Sequence, residues 1–395
     1  MRYFVIAGEA SGDLHAGHLM DAIRREDARA EIRYWYRPDL AYMGIVPVLM
    51  HLGPILRGMR ECRLAIRDFR PDRLVLVDYP GFNLGMARWF HRHVTAAGKA
   101  TDGAPLPRVI YYIPPKVWAW KEGRVRQIRR YVDRVLSILP FEVEWYAGRH
   151  KYHVDYVGNP TLDEVSAFRR TVTQDEVGQW RRSLGLGREP VLALMPGSRR
   201  QEIERNLPLM LRAAAEVGGD ARCVIAMAPD MPKNFYDNVI ARSGVPEDEA
   251  EFRCRIRLAP CLGSRSSFLL LHSAHAALVT SGTATLETAI MGVPQVVCYA
   301  MRCGRMVSWL RRLVLRVPYV SLVNLIAGRE VVPELVAGDL TPGRLRQELS
   351  RILMDEATRT RQREGYDCVM KRLGEPGAPG RAARLIYGDV ETNKH

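Results

Sequence analysis

Short apolar runs that stop abruptly at polar turns, each followed by a helical pattern, recur along the whole of this chain. Tyr3–Ala7 gives way to Gly8-Glu9-Ala10-Ser11-Gly12-Asp13, with a helix predicted from Leu14 to about Asp27. Leu74–Val77 stops at Asp78-Tyr79-Pro80-Gly81-Phe82-Asn83, Val191–Met195 at Pro196-Gly197-Ser198-Arg199, and Ala277–Thr280 at Ser281-Gly282-Thr283. Arg108–Ile113, Val135–Leu139, Val154–Val157, Cys223–Ala228 and Pro294–Ala300 read as further strands. Unbroken apolar runs bounded by breakers suit strands buried on both faces of a parallel sheet, whose connections must be helical. The pattern predicts an α/β chain of two doubly wound, Rossmann-like domains facing a cleft. A length of 395 residues accommodates two, at about 150 residues each. The expected boundaries are 1–165 for the first, 166–345 for the second, and 346–395 for C-terminal helices, free to cross back to the first.

Ligands of such sheets bind beyond the carboxyl ends of the strands, so the turns carry the candidate chemistry. Asp78, at a strand end beside a Pro-Gly turn, reads either as a general base or as a cap of the next helix, from Phe82 onward. Gly197, Ser198 and Arg199 could cradle a diphosphate, the arginine adding charge-assisted hydrogen bonds. Ser281, Gly282 and Thr283 suit a phosphate at a helix start, with Glu287 a turn inside, where it could hold ribose hydroxyls. The alternative makes Ser281 an N-cap and Glu287 a surface acid.

Charge narrows the partners. Lys and Arg number 58 against 44 Asp and Glu, a net +14 that favours nucleic acid, an acidic membrane surface or a phosphorylated substrate. Residues 42–60 crowd Met43, Ile45, Val48, Leu49, Leu52, Ile55 and Leu56 beside Arg57 and Arg60, with Pro47 and Pro54 interrupting any long helix. They form either a core helix pair or a surface for an acyl chain or bilayer. Residues 302–316, basic and apolar at helical spacing, face the same choice. Pro114–Arg124 brings Trp118 and Trp120 among cations at a strand end, a rigid loop suited to sugars, phosphates or stacked bases. The helix after it is expected to carry Arg126, Arg129, Arg130 and Arg134. No run reaches the ~18–20 apolar residues of a membrane span, and the opening residues lack a signal-peptide core, which predicts a cytoplasmic protein. Seven scattered cysteines without a CxxC pair read as free thiols, and His15 and His18 without a third ligand argue against a metal.

The stretches AGEASGD (7–13), YMGIVPVL (42–49), VDYPGFN (77–83), YYIPPKVWAWKEGR (111–124), LPFE (139–142), VGNP (157–160), LMPGSRRQEI (194–203), TSGTATLE (280–287), VPQVVCYAM (293–301) and YVSLVNLIAGREVVPELV (319–336) occur in that order. Together they resemble the lipid-A-disaccharide synthase family, inverting glycosyltransferases of the GT-B fold. The resemblance implies transfer from UDP-2,3-diacylglucosamine to 2,3-diacylglucosamine 1-phosphate (lipid X), giving a β-1,6 disaccharide and UDP. It implies no metal or other cofactor, no nucleic acid, and a peripheral position on the anionic inner face of the cytoplasmic membrane; it leaves the oligomeric state open. Asp78 would be the base, Arg199 would meet the donor diphosphate, and Glu287 would bind ribose. Ser281, Gly282 and Thr283 would lie near the phosphates. Asn324 is expected on the donor side, and Glu9, Ser11, Asn83, Trp118 and Trp120 on the acceptor side. The chain departs from the family pattern in a short stretch between Tyr34 and Ala41, and in Pro47, Pro114 and Val323. Another UDP-N-acetylglucosamine enzyme of this fold, such as an epimerase, would share the second-half loops without needing residues 42–60. An inactive membrane-bound relative would keep the motifs without turnover. A nucleic-acid binder would leave Asp78 without a purpose.

Overall fold

The computed structural model describes residues 1–8, 10–37, 52–95, 106–217, 219–229, 231–245, 252, 254–261, 263–300 and 318–388. The chain divides into two compact units, Met1–Pro160 with Glu375–His395, and Thr161–Gly374.

In the first unit, strands β1 (Arg2–Ala7), β2 (Glu31–Tyr36), β3 (Arg73–Val77), β4 (Arg108–Tyr112), β5 (Arg134–Ser137) and β6 (Asp155–Tyr156) form a parallel sheet in the order β2-β1-β3-β4-β5-β6. Every residue of β3 is buried, as its unbroken apolar run requires. The edge strand β2 is only half-buried and mixes Arg33 and Glu31 with aromatics, so its run is too polar to stand out in the sequence. Helices α1 (Ala10–Glu26), α2 (Leu52–Phe69), α3 (Pro80–Phe90), α4 (Val125–Tyr131) and α5 (Pro140–His150) connect the strands.

Three sequence expectations are corrected here. Helix α1 starts at Ala10 rather than Leu14, so the glycine-bearing stretch forms its first turn instead of a loop before it. Pro54 opens α2 instead of interrupting it, since a proline in a first turn costs no hydrogen bond. Arg134 belongs to β5, where it pairs with Asp155 at 2.8 Å, and not to the helix carrying Arg126, Arg129 and Arg130. Residues 38–51 and 301–317, with Met43, Ile45, Val48 and Leu49 among them, lie outside the described residues.

The second unit repeats the plan. Strands β7 (Val191–Met195), β8 (Arg222–Ala226), β9 (Ile256–Ala259), β10 (Ala276–Thr280), β11 (Gln295–Tyr299) and β12 (Glu334–Val336) form a parallel sheet in the order β12-β11-β10-β7-β8-β9. Helices α6 (Pro160–Thr171) and α7 (Gln174–Ser183) lead in; α8 (Arg200–Val217), α9 (Lys233–Ala241), α10 (Ser264–Ser273), α11 (Thr283–Ile290) and α12 (Leu322–Ala327) follow the strands, and α13 (Pro342–Met354) and α14 (Glu356–Leu373) close the unit. A last helix, α15 (Ala378–Tyr387), returns to the first unit. It buries Ala382, Ala383 and Ile386 against the β1, β3 and α1 side chains Tyr3, Val75 and Leu19.

Both sheets have a topological switch point, where consecutive connections leave in opposite directions. It lies between β1 and β3 in the first and between β7 and β10 in the second. Open α/β sheets bind ligands at these places.

Candidate active site

The first switch point is built around Asp78. Where β3 ends, Asp78 and Tyr79 both adopt left-handed backbone, with φ of 47° and 48°. Outside glycine this costs of order 1 kcal/mol per residue and persists only where the surroundings impose it. Here they do. The Asp78 N–H donates to the Tyr112 carbonyl at 3.2 Å, and the Tyr111 hydroxyl donates to the Asp78 carbonyl at 2.8 Å. The Asn83 amide nitrogen donates to the carbonyls of Asp78 and Val77 at 2.7 and 3.2 Å. The turn carries Tyr79 over the loop after β1, where a Cβ on Gly8 would come within 2.3 Å of its ring. The chain then enters α3 at Pro80, a residue preset for a first helical position.

The Asp78 side chain is partly buried. That burial raises its carboxyl above the usual range, against the opposing effects of the Lys116 ammonium and the Tyr79 N–H. Lys116 acts on a second acid, Glu142, which is fully buried and pushed up to about 7 by burial. The Trp118 indole donates to Glu142 at 2.7 Å, Ser137 donates to its other oxygen, and Trp118 packs edge-on to Phe141. Neither Lys116 nor Glu142 was singled out in the sequence. The available signal was a lysine at a strand end and a glutamate inside the otherwise apolar start of a helix.

Two residues expected on the acceptor side are buried. Asn83 is 0% exposed and braces the Asp78 turn through its amide nitrogen. Trp118 is buried beneath its loop, whereas Trp120 is 52% exposed, with the Lys121 ammonium 4.2 Å from its ring centre. Glu9 lies outside the described residues, and Ser11 falls in the first turn of α1. On α2, Ile55 is half-buried and Leu56 is 63% exposed; Leu52 is its first residue.

At the second switch point, one buried asparagine ties three strand ends together. Asn206 of α8 donates to the Pro196 carbonyl and the Thr280 hydroxyl at 3.2 and 2.9 Å, and accepts from the Ala300 N–H at 2.8 Å. Gly197 has φ +116°, and a Cβ there would meet the Glu202 carboxylate at 2.7 Å. That carboxylate accepts from the Ser198 and Arg199 N–H groups at 3.3 and 3.4 Å and pairs with the Arg199 side chain at 3.5 Å. An oxyanion thus already sits against the amides that open α8.

Across the switch point, Gly282 and Thr283 open α11 and are exposed. Ser281 does not cap that helix as one reading expected: its hydroxyl donates to the Val320 carbonyl at 3.0 Å. Glu287 is no surface acid. Burial, and then the charge of Glu164 on α6, push it up to about 7. Asn324 is 0% exposed and fully engaged, donating to the Val332 carbonyl and to Glu334 and accepting from the Val331 and Val332 N–H groups. It therefore braces the second switch point from within. Glu334, which the sequence did not single out, also accepts from the Val320 N–H and from both the N–H and the hydroxyl of Ser321. A chain of hydrogen bonds thus runs from Asn324 through Glu334 and Val320 to Ser281.

A family model described as lipid-A-disaccharide synthetase matches residues 3–376. The chain belongs to the lipid-A-disaccharide synthase family. The lipid-A-disaccharide synthase of Myxococcus xanthus is 36% identical, covering 98% of this chain and 96% of its own. That of Geobacter sulfurreducens is 34% identical over the same shares. Membership makes the chain a glycosyltransferase of the GT-B class, and its two parallel, helix-flanked sheets agree with that fold. Among solved structures, Staphylococcus aureus MnaA with UDP aligns with a TM-score of 0.65 at 13% identity, over 98% of this chain and 95% of that one. The UDP-GlcNAc 2-epimerase of Methanocaldococcus jannaschii gives 0.61 at 12%, over 98% and 100%. At such identity the likeness extends to the fold alone.

Proposed function

We propose that this synthase-family chain transfers the diacylglucosamine of UDP-2,3-diacylglucosamine to the 6-hydroxyl of lipid X with inversion. The observation that carries the reading is the Asp78 carboxyl, held at a switch point by a strained turn that three side-chain and backbone donors impose. Asp78 takes the hydroxyl proton as O6 bonds to the anomeric carbon. The bond from that carbon to the diphosphate breaks, and UDP leaves with the electron pair. Charge developing on the diphosphate meets Arg199 and the amides of Ser198 and Arg199, where Glu202 now sits, with Gly282 and Thr283 offering further donors. Glu287 takes the ribose hydroxyls; its raised carboxyl can donate as well as accept. None of these steps calls on a metal.

A peripheral position at the inner face of the cytoplasmic membrane is supported by exposed Leu56 and Leu64 beside Arg57 and Arg60 on α2. No helix among the described residues is long and apolar enough to cross a membrane.

The deciding experiment is UDP release in detergent micelles with both lipid substrates and a chelator. The expected result is release that depends on acceptor and is nearly abolished in Asp78→Ala, with UDP affinity retained. UDP binding without acceptor-dependent release would overturn the reading.

A further inference from the structure

On the first unit, Val125, Arg126, Arg129, Arg130 and His150, none of them part of the Asp78 turn, line an open surface pocket of about 290 Å³, with the three arginines exposed. Residues 126, 129 and 130 share one face of α4, being three and four positions apart, and His150 ends the neighbouring α5. Like charges at that spacing destabilise a helix by a few tenths of a kcal/mol, so a sequence that only needed solubility would interleave acids. Elsewhere in this unit basic residues meet acids across elements: Arg134 pairs with Asp155 and Arg108 with Asp133. Among the described residues no carboxylate lies within ion-pair distance of Arg126, Arg129 or Arg130. The nearby Glu122 is engaged by Arg149 and lies 3.1 Å from the His150 ring.

The guanidinium groups are also oriented. Arg129 lies over the Tyr152 ring at 5.6 Å and donates to the His150 carbonyl, and Arg130 lies over the Tyr131 ring at 5.6 Å. Arg129 spends one N–H on that carbonyl, and Arg130, held against its ring, keeps its in-plane N–H fork for oxygen acceptors. The volume is at the small end of ligand sites and corresponds to roughly ten waters. It suits a group of a few heavy atoms rather than a nucleotide.

We propose that this arginine pocket is a binding site for a phosphate group, supplied by a lipid headgroup or by a free phosphate. It is separate from the Asp78 centre, and its test does not require turnover. Two probes are applied to the full chain: inorganic phosphate by calorimetry against chloride at matched ionic strength, and phosphatidylcholine vesicles with and without phosphatidylglycerol by co-sedimentation. The variants are Arg126→Gln/Arg130→Gln and Arg126→Lys/Arg130→Lys, which leave Arg129 on its carbonyl; Arg126→Gln alone replaces either if its thermal melt departs from that of the parent.

The expected result is binding of at least one probe by the parent, weakened about tenfold or more in the Gln variant, and weakened also in the Lys variant, which keeps the charge but loses the fork. A lost phosphate heat names free phosphate as the source. Loss confined to phosphatidylglycerol vesicles names the headgroup. Parent-like binding by the Gln variant, full binding by the Lys variant, or no binding of either probe by the parent would each overturn the site.

Discussion

Asp78 is pulled in two directions, up by burial and down by Lys116, and the balance is measurable. In the proposed role of base it works only when ionised, so the acid limb of the kcat/KM profile is expected above the ordinary aspartate range. Lys116→Met removes the opposing cation and moves that limb to higher pH; a pH–rate profile that does not move would remove Lys116 from the site. Arg199→Ala is expected to lower kcat/KM by roughly 2–4 kcal/mol, as for loss of one preorganised donor, and steady-state kinetics with both substrates measure it. Asn83→Ala removes the side-chain donor to the Val77 carbonyl and leaves the Asp78 carbonyl with the Tyr111 hydroxyl alone. Urea melts should show about 1–3 kcal/mol of destabilisation. Asp78 was legible as a candidate because an acid at a strand end stands out from its run. Asn83 and Asn324 were legible only as polar residues near a site. Whether an amide faces substrate or braces a turn depends on where its donors end, and that is a tertiary fact.

Strand-end loops are rigid here because elements other than their own hold them. The loop bearing Trp118 is anchored on Glu142 of α5, and this gives a pH signature. The folded carboxyl titrates near 7 against an ordinary value of 4.5, so the folded state holds the extra proton between these values. The contribution of this carboxyl to stability is then fully present below about 4.5 and is lost as pH rises through 7. Glu142→Gln, which can still accept from the indole, should flatten part of that fall in thermal melts taken from pH 5 to 7. The loop bearing Ser281 is held by β12 through Glu334, which lies in a strand too short to read from its composition. Helix α11 was legible from its glycine and hydroxyls, but its partner across the sheet was not.

The whole chain is organised by its return. Residues 375–388 leave the second unit and complete the core of the first, with Ile386 fully buried and Arg73 and Arg134 donating to the Ile386 and Leu385 carbonyls. Ile386→Ala should destabilise the first unit by about 2–5 kcal/mol, read as loss of protease resistance there while the second unit keeps its melt. By itself the sequence determined the α/β class, the two-domain plan, the family and the positions of the strand-end turns. Those follow from apolar runs, breakers and motifs, which are local and survive in one dimension. Only the tertiary structure decided the strand orders, the switch points beside Asp78 and Gly197, the buried braces, and the meeting of the α4 arginines with His150. Those depend on residues far apart in the chain meeting across a sheet, and no local pattern records which of them meet.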